Sequence, residues 1–546
     1  MRPASQQLVA KDVRHDFTNS DFDGVNTQAS RFQIQEGEQS WLENLIPIGN
    51  GNAAIVPGIS AALAAIGQTP YYAKCFNISG SDYLFVATTP GNIYQIGDLS
   101  TSTFTVTQVS TGGNAGKFTK CQMAQWQNTT IVIVDGVNGY YDYTAGALTK
   151  GTTYAPVGAR PAFSTGTCIA TFSGRVWVAS GRTIYFSNLL GSVVAGSSGL
   201  SYNDWTLAGG GLGGSFVLTD ETLHGNVVQL DAQNNFLYII GADSVFVISD
   251  VQVVGGVTVY TKTDLSTGIG TSYPLSLCNY FRTLWWANSS GFFGLYGTTA
   301  RKGSDALDGV FSSFPDLLQT ATPPAPGGIP SCTAGLVTIN NTVCLAFLVD
   351  YADPIQLITR PLLCLYFNKK WFFASQGPTS GSASLTMIVG GLVRGANLLY
   401  GLDTNGNLYQ LFEDEEASID FVWQTALWPF GAPIAVKQSI RAGFGAVVNS
   451  AVMLDVGVTI DSEIAQNSFS VTGGSEIAFY GVGPITFIGA ASVAITFLSS
   501  GYIFFQGPAS NFGRFLGLTF SGTGGKTTFT MAALQYSPNG ATWGGS

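Results

Sequence analysis

The chain has 546 residues and a net charge of −10, from 23 basic and 33 acidic side chains; only 10% of its residues are charged, against 45% hydrophobic. Gripping nucleic acid requires clustered Lys and Arg that displace counterions, so this balance excludes a DNA- or RNA-binding surface as the main function. It still allows nucleic acid to slide past a mildly acidic wall. An average soluble domain carries about 25% charge. The shortage predicts that subunit contacts cover much of the surface, the alternative being a secreted β-protein coated in Ser, Thr, Asn and Gly.

Taken in chain order, residues 1–60 read as an extended N-terminal arm. They are polar, they lack alternation, and they end in an apolar turn at Pro57-Gly58-Ile59. Met1 to Phe17 holds no apolar run of the kind a secretory leader needs. Gln35 to Leu45 is expected to form one short helix or turn. Residues 61–412 repeat a β-rich run, a Gly/Asn/Asp/Ser turn and a second β-rich run. The copies include DYLFVATTPGNIYQIGD from Asp82, TIVIVDGVNGYYDY from Thr130, GRVWVASGRTIYFSN from Gly174 and NNFLYIIGADSVFVISD from Asn234. They continue with RTLWWANSSGFFGLYG from Arg282 and NLLYGLDTNGNLYQLF from Asn397. NTVCLAFLVD followed by LLCLYFNKKWFFAS is a looser copy. Starts roughly 45 to 60 residues apart match the period of β-propeller blades with long loops, and six or seven blades fit. The Gly/Ser/Pro stretches 189–215 and 320–331 read as propeller-face loops. The segment SDALDGVFSSF is the best helix candidate in an otherwise all-β chain. Residues 413–546 read as a tip domain, a β-sandwich from about 421 onward, on the alternation in AVMLDVGVTID, SFSVTG and FTMAALQYS. Ile477 to Gly513 holds no charged residue and is long enough to span a bilayer. Its glycines, prolines and short β-branched runs assign it to sandwich strands, with membrane contact at a distal tip as the minority reading.

The motifs that could carry chemistry are sparse. His15 and His224 stand about 200 residues apart, no GxSxG nucleophile elbow occurs, and no Cys/His spacing matches a zinc site. No catalytic residue, metal or cofactor is therefore assigned. The seven cysteines, none in CxxC, read as buried free thiols. Gly209 to Gly214 resembles a phosphate loop but opens no helix and precedes no Lys, so it reads as a flexible loop. Asp403 to Asn407, DTNGN, reads as a hairpin turn of type I′ rather than a calcium loop. Trp285-Trp286 and Trp371-Phe372 could stack on sugars, but their in-strand spacing places them in the core. Glu413, Asp414, Glu415 and Glu416 read as a solvated linker, with channel lining as the functional alternative and a glycosidase carboxylate pair as the least favoured.

The order of elements resembles the tail nozzle proteins of short-tailed bacteriophages (podoviruses), also called packaged-DNA stabilisation or tail tubular proteins. The resemblance lies in His15-Asp16-Phe17 in the arm, the Pro57-Gly58-Ile59 turn, GRVWVASGRTIYFSN followed by Asp204-Trp205, and Leu237–Ser249. It continues through Gly268–Ser276, Trp285–Gly297, Tyr366–Phe372 and a C-terminal SPNG turn at Ser537. It spans about residues 10–540 in arrangement and is densest between 174 and 300; the long charge-free stretch in the C-terminal half departs from it. The resemblance implies a structural virion protein of the tail, made in the host cytoplasm. It would be a homohexameric ring below the portal and its head-to-tail adaptor ring. Genomic DNA would pass through the lumen without sequence-specific contacts, the packaged genome would be retained, and a tail fibre or spike would attach outside. His15, Asp16, Phe17 and Trp41 of the arm would then contact the adaptor or a neighbouring subunit, and Glu413 to Glu416 would line the channel. The alternatives are a glycan- or receptor-binding propeller and a polysaccharide-degrading one.

Overall fold

The computed structural model describes residues 14–49, 52–101, 103–150, 166–192, 201–205, 212–219, 223–296, 299–311, 332–353, 358–376, 384–415, 417–448, 452–461, 465–473 and 502–538. Two compact units divide the chain. One comprises residues 59–369 and 376–411, the other residues 1–58, 370–375 and 412–546.

The first unit is the β-propeller. Six four-stranded antiparallel sheets form in it. Blade 1 is Pro70–Ile78, Ser81–Thr88, Ile93–Gly97 and Thr105–Gln108; blade 2 is Cys121–Trp126, Thr130–Asp135, Gly139–Thr144 and Ala147–Lys150. Blade 3 is Gly166–Phe172, Arg175–Ser180, Thr183–Phe186 and Gly214–Val217; blade 4 is Val227–Gln233, Phe236–Gly241, Ser244–Val254 and Val257–Thr267. Blade 5 is Cys278–Tyr280, Thr283–Asn288, Gly291–Tyr296 and Thr299–Lys302. A further sheet follows, with Cys332–Ile339, Thr342–Asp353 and Ile358–Phe367 from this unit. The last blade is Leu385–Val393, Ala396–Asp403 and Asn407–Gln410, completed by Ala64–Ala65 from the start of the unit. The ring therefore closes by pairing its two chain ends, Asn407↔Ala65 and Leu408↔Ala64. The expected six or seven blades are met as six complete blades plus the sheet beginning at Cys332, whose first strand packs between those of blade 5 and the last blade.

Sequence sets the pleat. In blade 2, Ile131 and Ile133 face the blade 1 side, among Phe85, Tyr141 and Tyr143. Val132 and Val134 face the other way, among Ile169, Val176 and Val178 of blade 3. Both sheet faces are thus buried, which is why the central strands read as unbroken apolar runs. Between the first and second strands of several blades both turn residues have positive φ: Ser79-Gly80, Ser173-Gly174, Asn234-Asn235, Phe281-Arg282, Asn340-Asn341 and Arg394-Gly395. These are the primed turns whose twist matches a hairpin. The expected helix forms as a 3-10 turn, Asp305–Leu307, running into Asp308–Phe311.

The second unit is the sandwich. One sheet runs Leu45–Gly49, Asn52–Ile55, Thr527–Pro538, Lys437–Val448, Tyr502–Pro508; His15–Asn19 pairs with Thr527–Pro538, and Phe512–Gly513 with Lys437–Val448. The other contains Lys370–Ala374, Gln39–Glu43, Ile419–Thr425, Leu516–Gly524, Val452–Ile460 and Ala465–Gly473 in that order. Their inner faces meet through aromatic rings. Phe444 and Phe529 of the first sheet lie against Phe520 and Trp423 of the second, with centroids 5.8 to 6.0 Å apart. The described part of the arm is thus integral to the sandwich. Where Gln35 to Leu45 was expected to be a helix or turn, the chain turns at Glu36–Gly37 and enters the strand Gln39–Glu43. Pairing of that strand with Ile419–Thr425 satisfies its backbone groups better than an isolated helical turn could.

Candidate functional site

The innermost strands of the propeller enclose an axial cavity of about 330 Å³. Blade 1 contributes Lys74, blade 4 contributes Gln229 and Asp231, and Asn279, Gly335 and Gly390 come from the next three sheets. Lys74 lines the cavity with its side chain exposed, and its Nζ donates to Met123 O at 3.4 Å. Burial pulls the Lys74 amine below its ordinary value, with Asp231 pulling it back. Burial pushes the Asp231 carboxyl up, and Lys74 opposes the shift. One cation and one anion thus face a shared, weakly screened space. Gln122 Nε2 donates to Gln229 Oε1 at 2.6 Å, which ties blade 2 to blade 4 beside the cavity. The Cys278 thiol is pushed up to about 12, by burial first and by Asp231 second. A thiol so poorly ionised is no nucleophile. The axis can hold water and a small polar solute.

The acidic run lies in the sandwich unit. Glu413, Asp414 and Glu415 are exposed, and Glu416 falls outside the described residues. Gly58 N donates to Asp414 O at 2.7 Å and Glu413 N donates to Gly58 O at 2.8 Å, so the Pro-Gly turn and the acidic turn clasp each other. A Cβ on Gly58 would stand 2.4 Å from the Ala417 Cβ, which explains glycine there. Glu415 pairs with Lys526 at 2.5 Å. The structure brings this acid to a cation rather than to a second carboxylate.

The arm residues are distributed along the same sandwich. His15 stacks on Tyr536 with centroids 5.4 Å apart, and the Asp16 carboxylate accepts from Gln535 Nε2 at 2.9 Å. Phe17 lies against Trp428 and Phe430. Trp41 packs on Phe373 and donates its indole N–H to Glu43 at 2.8 Å. His15 and Asp16 remain exposed, while Phe17 and Trp41 are half-buried.

Other expected features are located plainly. His224 hydrogen-bonds Asp243 at 2.7 Å on the surface. Trp285, Trp286, Trp371 and Phe372 are buried, as their spacing required. All seven cysteines are free, five of them buried. The DTNGN turn is a hairpin turn but not of type I′. Gly406 alone has positive φ, and its N–H donates to Asp403 O at 3.0 Å, leaving a three-residue loop. The reason is Asp403, whose carboxylate accepts from Asn405 N, Asn407 N and Tyr409 Oη and so holds the chain in the wider turn. Of the glycine-rich stretch, Leu212 to Gly214 is described: Gly214 starts the outer strand of blade 3, and Leu212 O accepts from Arg175. Loop 320–331 and most of the charge-free stretch, residues 477–501, lie outside the described residues. The remainder of that stretch, Tyr502–Pro508 and Phe512–Gly513, is sandwich strand as expected. Among the described residues no helix is long and apolar enough to cross a membrane.

Sequence reasoning missed the outer ribbon of blade 4. Its strands Ser244–Val254 and Val257–Thr267 have 11 residues each, and the tip carries exposed Val253, Val254 and Val257 around Gly255-Gly256. The signal was available, since VQVVGGVTVY is an uncharged run broken by a two-glycine turn.

No protein-family model and no curated protein matches this chain.

Proposed function

We propose that the chain is a structural subunit of a bacteriophage tail, a nozzle protein that assembles into a ring below the portal and adaptor. The observation that carries this reading is the ribbon tip of blade 4, an apolar, uncharged surface on a chain with only 10% charged residues. Scattered exposed apolar residues are ordinary on a monomer, but a clustered apolar tip on a two-stranded ribbon seeks a partner. The resemblance in element order supports the particular assembly, with propeller loops and sandwich edges available to the adaptor ring, neighbouring subunits and a fibre or spike. In this reading the exposed carboxylates of Glu413 and Asp414 repel phosphate and keep passing DNA from sticking.

Sedimentation velocity of the purified chain over rising concentration tests the reading. It predicts a species of about six subunit masses, and co-sedimentation with the adaptor ring. A monomer at every concentration that ignores the adaptor would remove it in favour of a receptor-binding or polysaccharide-degrading propeller.

A further inference from the structure

The sandwich sheet that contains the arm has an outward face distinct from its core face. Strand alternation sends Phe444 inward, against Phe520 and Phe529, and Arg441 and Gly443 outward. Register then sets two neighbouring rows on the outer face. Asp16 pairs with Gln535 and Gln535 with Arg441; Ala533 pairs with Gly443 and Gly443 with Gln506. Phe504 follows two residues before Gln506 on the edge strand. The middle of this face therefore holds only Gly443 and Ala533, and polar side chains stand around them. A groove of about 310 Å³ results, near the lower end of the range for small-ligand sites.

Phe504 belongs to this groove and is 44% exposed. A Cβ on Gly443 would meet Phe505 O at 2.4 Å and the Phe504 Cζ at 3.2 Å. Glycine at that position lets the aromatic ring lie down over the sheet and present a face to solvent. Beside the ring, Arg441 and Gln506 are exposed and offer planar N–H donors, and the Asp16 carboxylate offers acceptors. Gln535 donates to Asp16 at 2.9 Å, which holds that carboxylate in place and leaves lone pairs free.

We propose that this groove binds a carbohydrate, with a pyranose stacked on Phe504 and its hydroxyls held by Arg441, Gln506 and Asp16. A pyranose has an apolar C–H face and a rim of hydroxyls that both donate and accept. An aromatic platform with guanidinium, amide and carboxylate groups around it matches that distribution. A free carboxylate or phosphate ligand would use Arg441 but would be opposed by Asp16, so a neutral sugar fits the charge balance better. The inference is independent of ring assembly, and its failure leaves that reading intact.

Saturation-transfer NMR of the full chain with methyl pyranosides of the gluco, galacto, manno, rhamno and N-acetylgluco series provides the test. At least one is expected to receive saturation on its ring C–H protons. Phe504→Ala is expected to abolish the effect, and Arg441→Ala to weaken binding roughly tenfold, the loss of about one charge-assisted hydrogen bond. Both side chains lie on the surface, so the unfolding midpoint should hold; should Phe504→Ala not fold, Gln506→Ala and Arg441→Lys carry the same comparison. No transfer to any sugar, or transfer undiminished in the variants, overturns the proposal. So does a Phe504→Ala chain that binds no less sugar but loses self-association, which would assign the groove to contact between copies.

Discussion

Arg31 shows how one side chain can hold distant segments together. It is buried, its Nε and Nη2 donate to Thr425 O at 3.0 and 2.9 Å, and its Nη1 donates to Thr459 Oγ1 at 3.3 Å. Hydrogen bonds to charged groups contribute about 1.5–3 kcal/mol each, and orphaning a buried carbonyl adds a cost. Arg31→Ala should therefore lower unfolding free energy by at least about 2 kcal/mol, read from the denaturant midpoint. Phe281 presents the reverse case. It holds φ +46° in a primed turn with 74% of its surface exposed. A bulky residue in the left-handed region costs roughly 1 kcal/mol, which Asn largely avoids. Phe281→Asn should raise the thermal midpoint, read by a melting scan of the two chains. On the axis, the raised carboxyl of Asp231 has a defined pH consequence. Because the fold binds that proton more tightly than the unfolded chain, its contribution is greatest below the ordinary value of 3.8 and is lost as pH rises through the raised value. Asp231→Asn should flatten the stability–pH curve in that acid window relative to the parent, measured by denaturant midpoints at successive pH values.

At the scale of elements, the propeller hairpins were legible because strand and turn are adjacent in sequence. Tyr140 pairs with Val134 only six positions earlier in the chain, so a short window contains the whole signal. The arm was not legible in the same way. His15–Asn19 is short and polar, and it becomes a strand through pairing with Thr527–Pro538 some 500 residues later. Nothing local specifies that partner, and the same holds for Arg31 and Thr425. The turn at Phe281-Arg282 also escaped notice because neither residue is a turn former, whereas Asn234-Asn235 and Asn340-Asn341 announce themselves. The axial pair Lys74 and Asp231 sits on strands of different blades, 157 positions apart in the chain, and only ring closure joins them. The blade 4 ribbon makes its own prediction. Gly255-Gly256 ends a hairpin longer than its blade requires, so Val253→Asp with Val257→Asp should leave the unfolding midpoint within about 0.5 kcal/mol of the parent. The same pair should abolish self-association in sedimentation, since charged tips would have to be desolvated on contact.

Over the whole molecule, the compact units meet after residue 58 and after residue 411, with a further exchange at 370–375. The chain nevertheless begins, pauses and ends in the same unit: residues 1–58, 370–375 and 412–546 assemble together, and the propeller is inserted between them. The sandwich is therefore built from segments that precede, interrupt and follow the propeller in the chain. The proposed ring supplies what the composition lacks, by covering apolar surface that charge would otherwise have to keep dispersed. Negative-stain electron microscopy of the purified full chain, alone and mixed with the adaptor ring, tests this claim most directly. The account predicts sixfold rings with an axial hole that stack on the adaptor; isolated single propellers with no affinity for it would contradict the account.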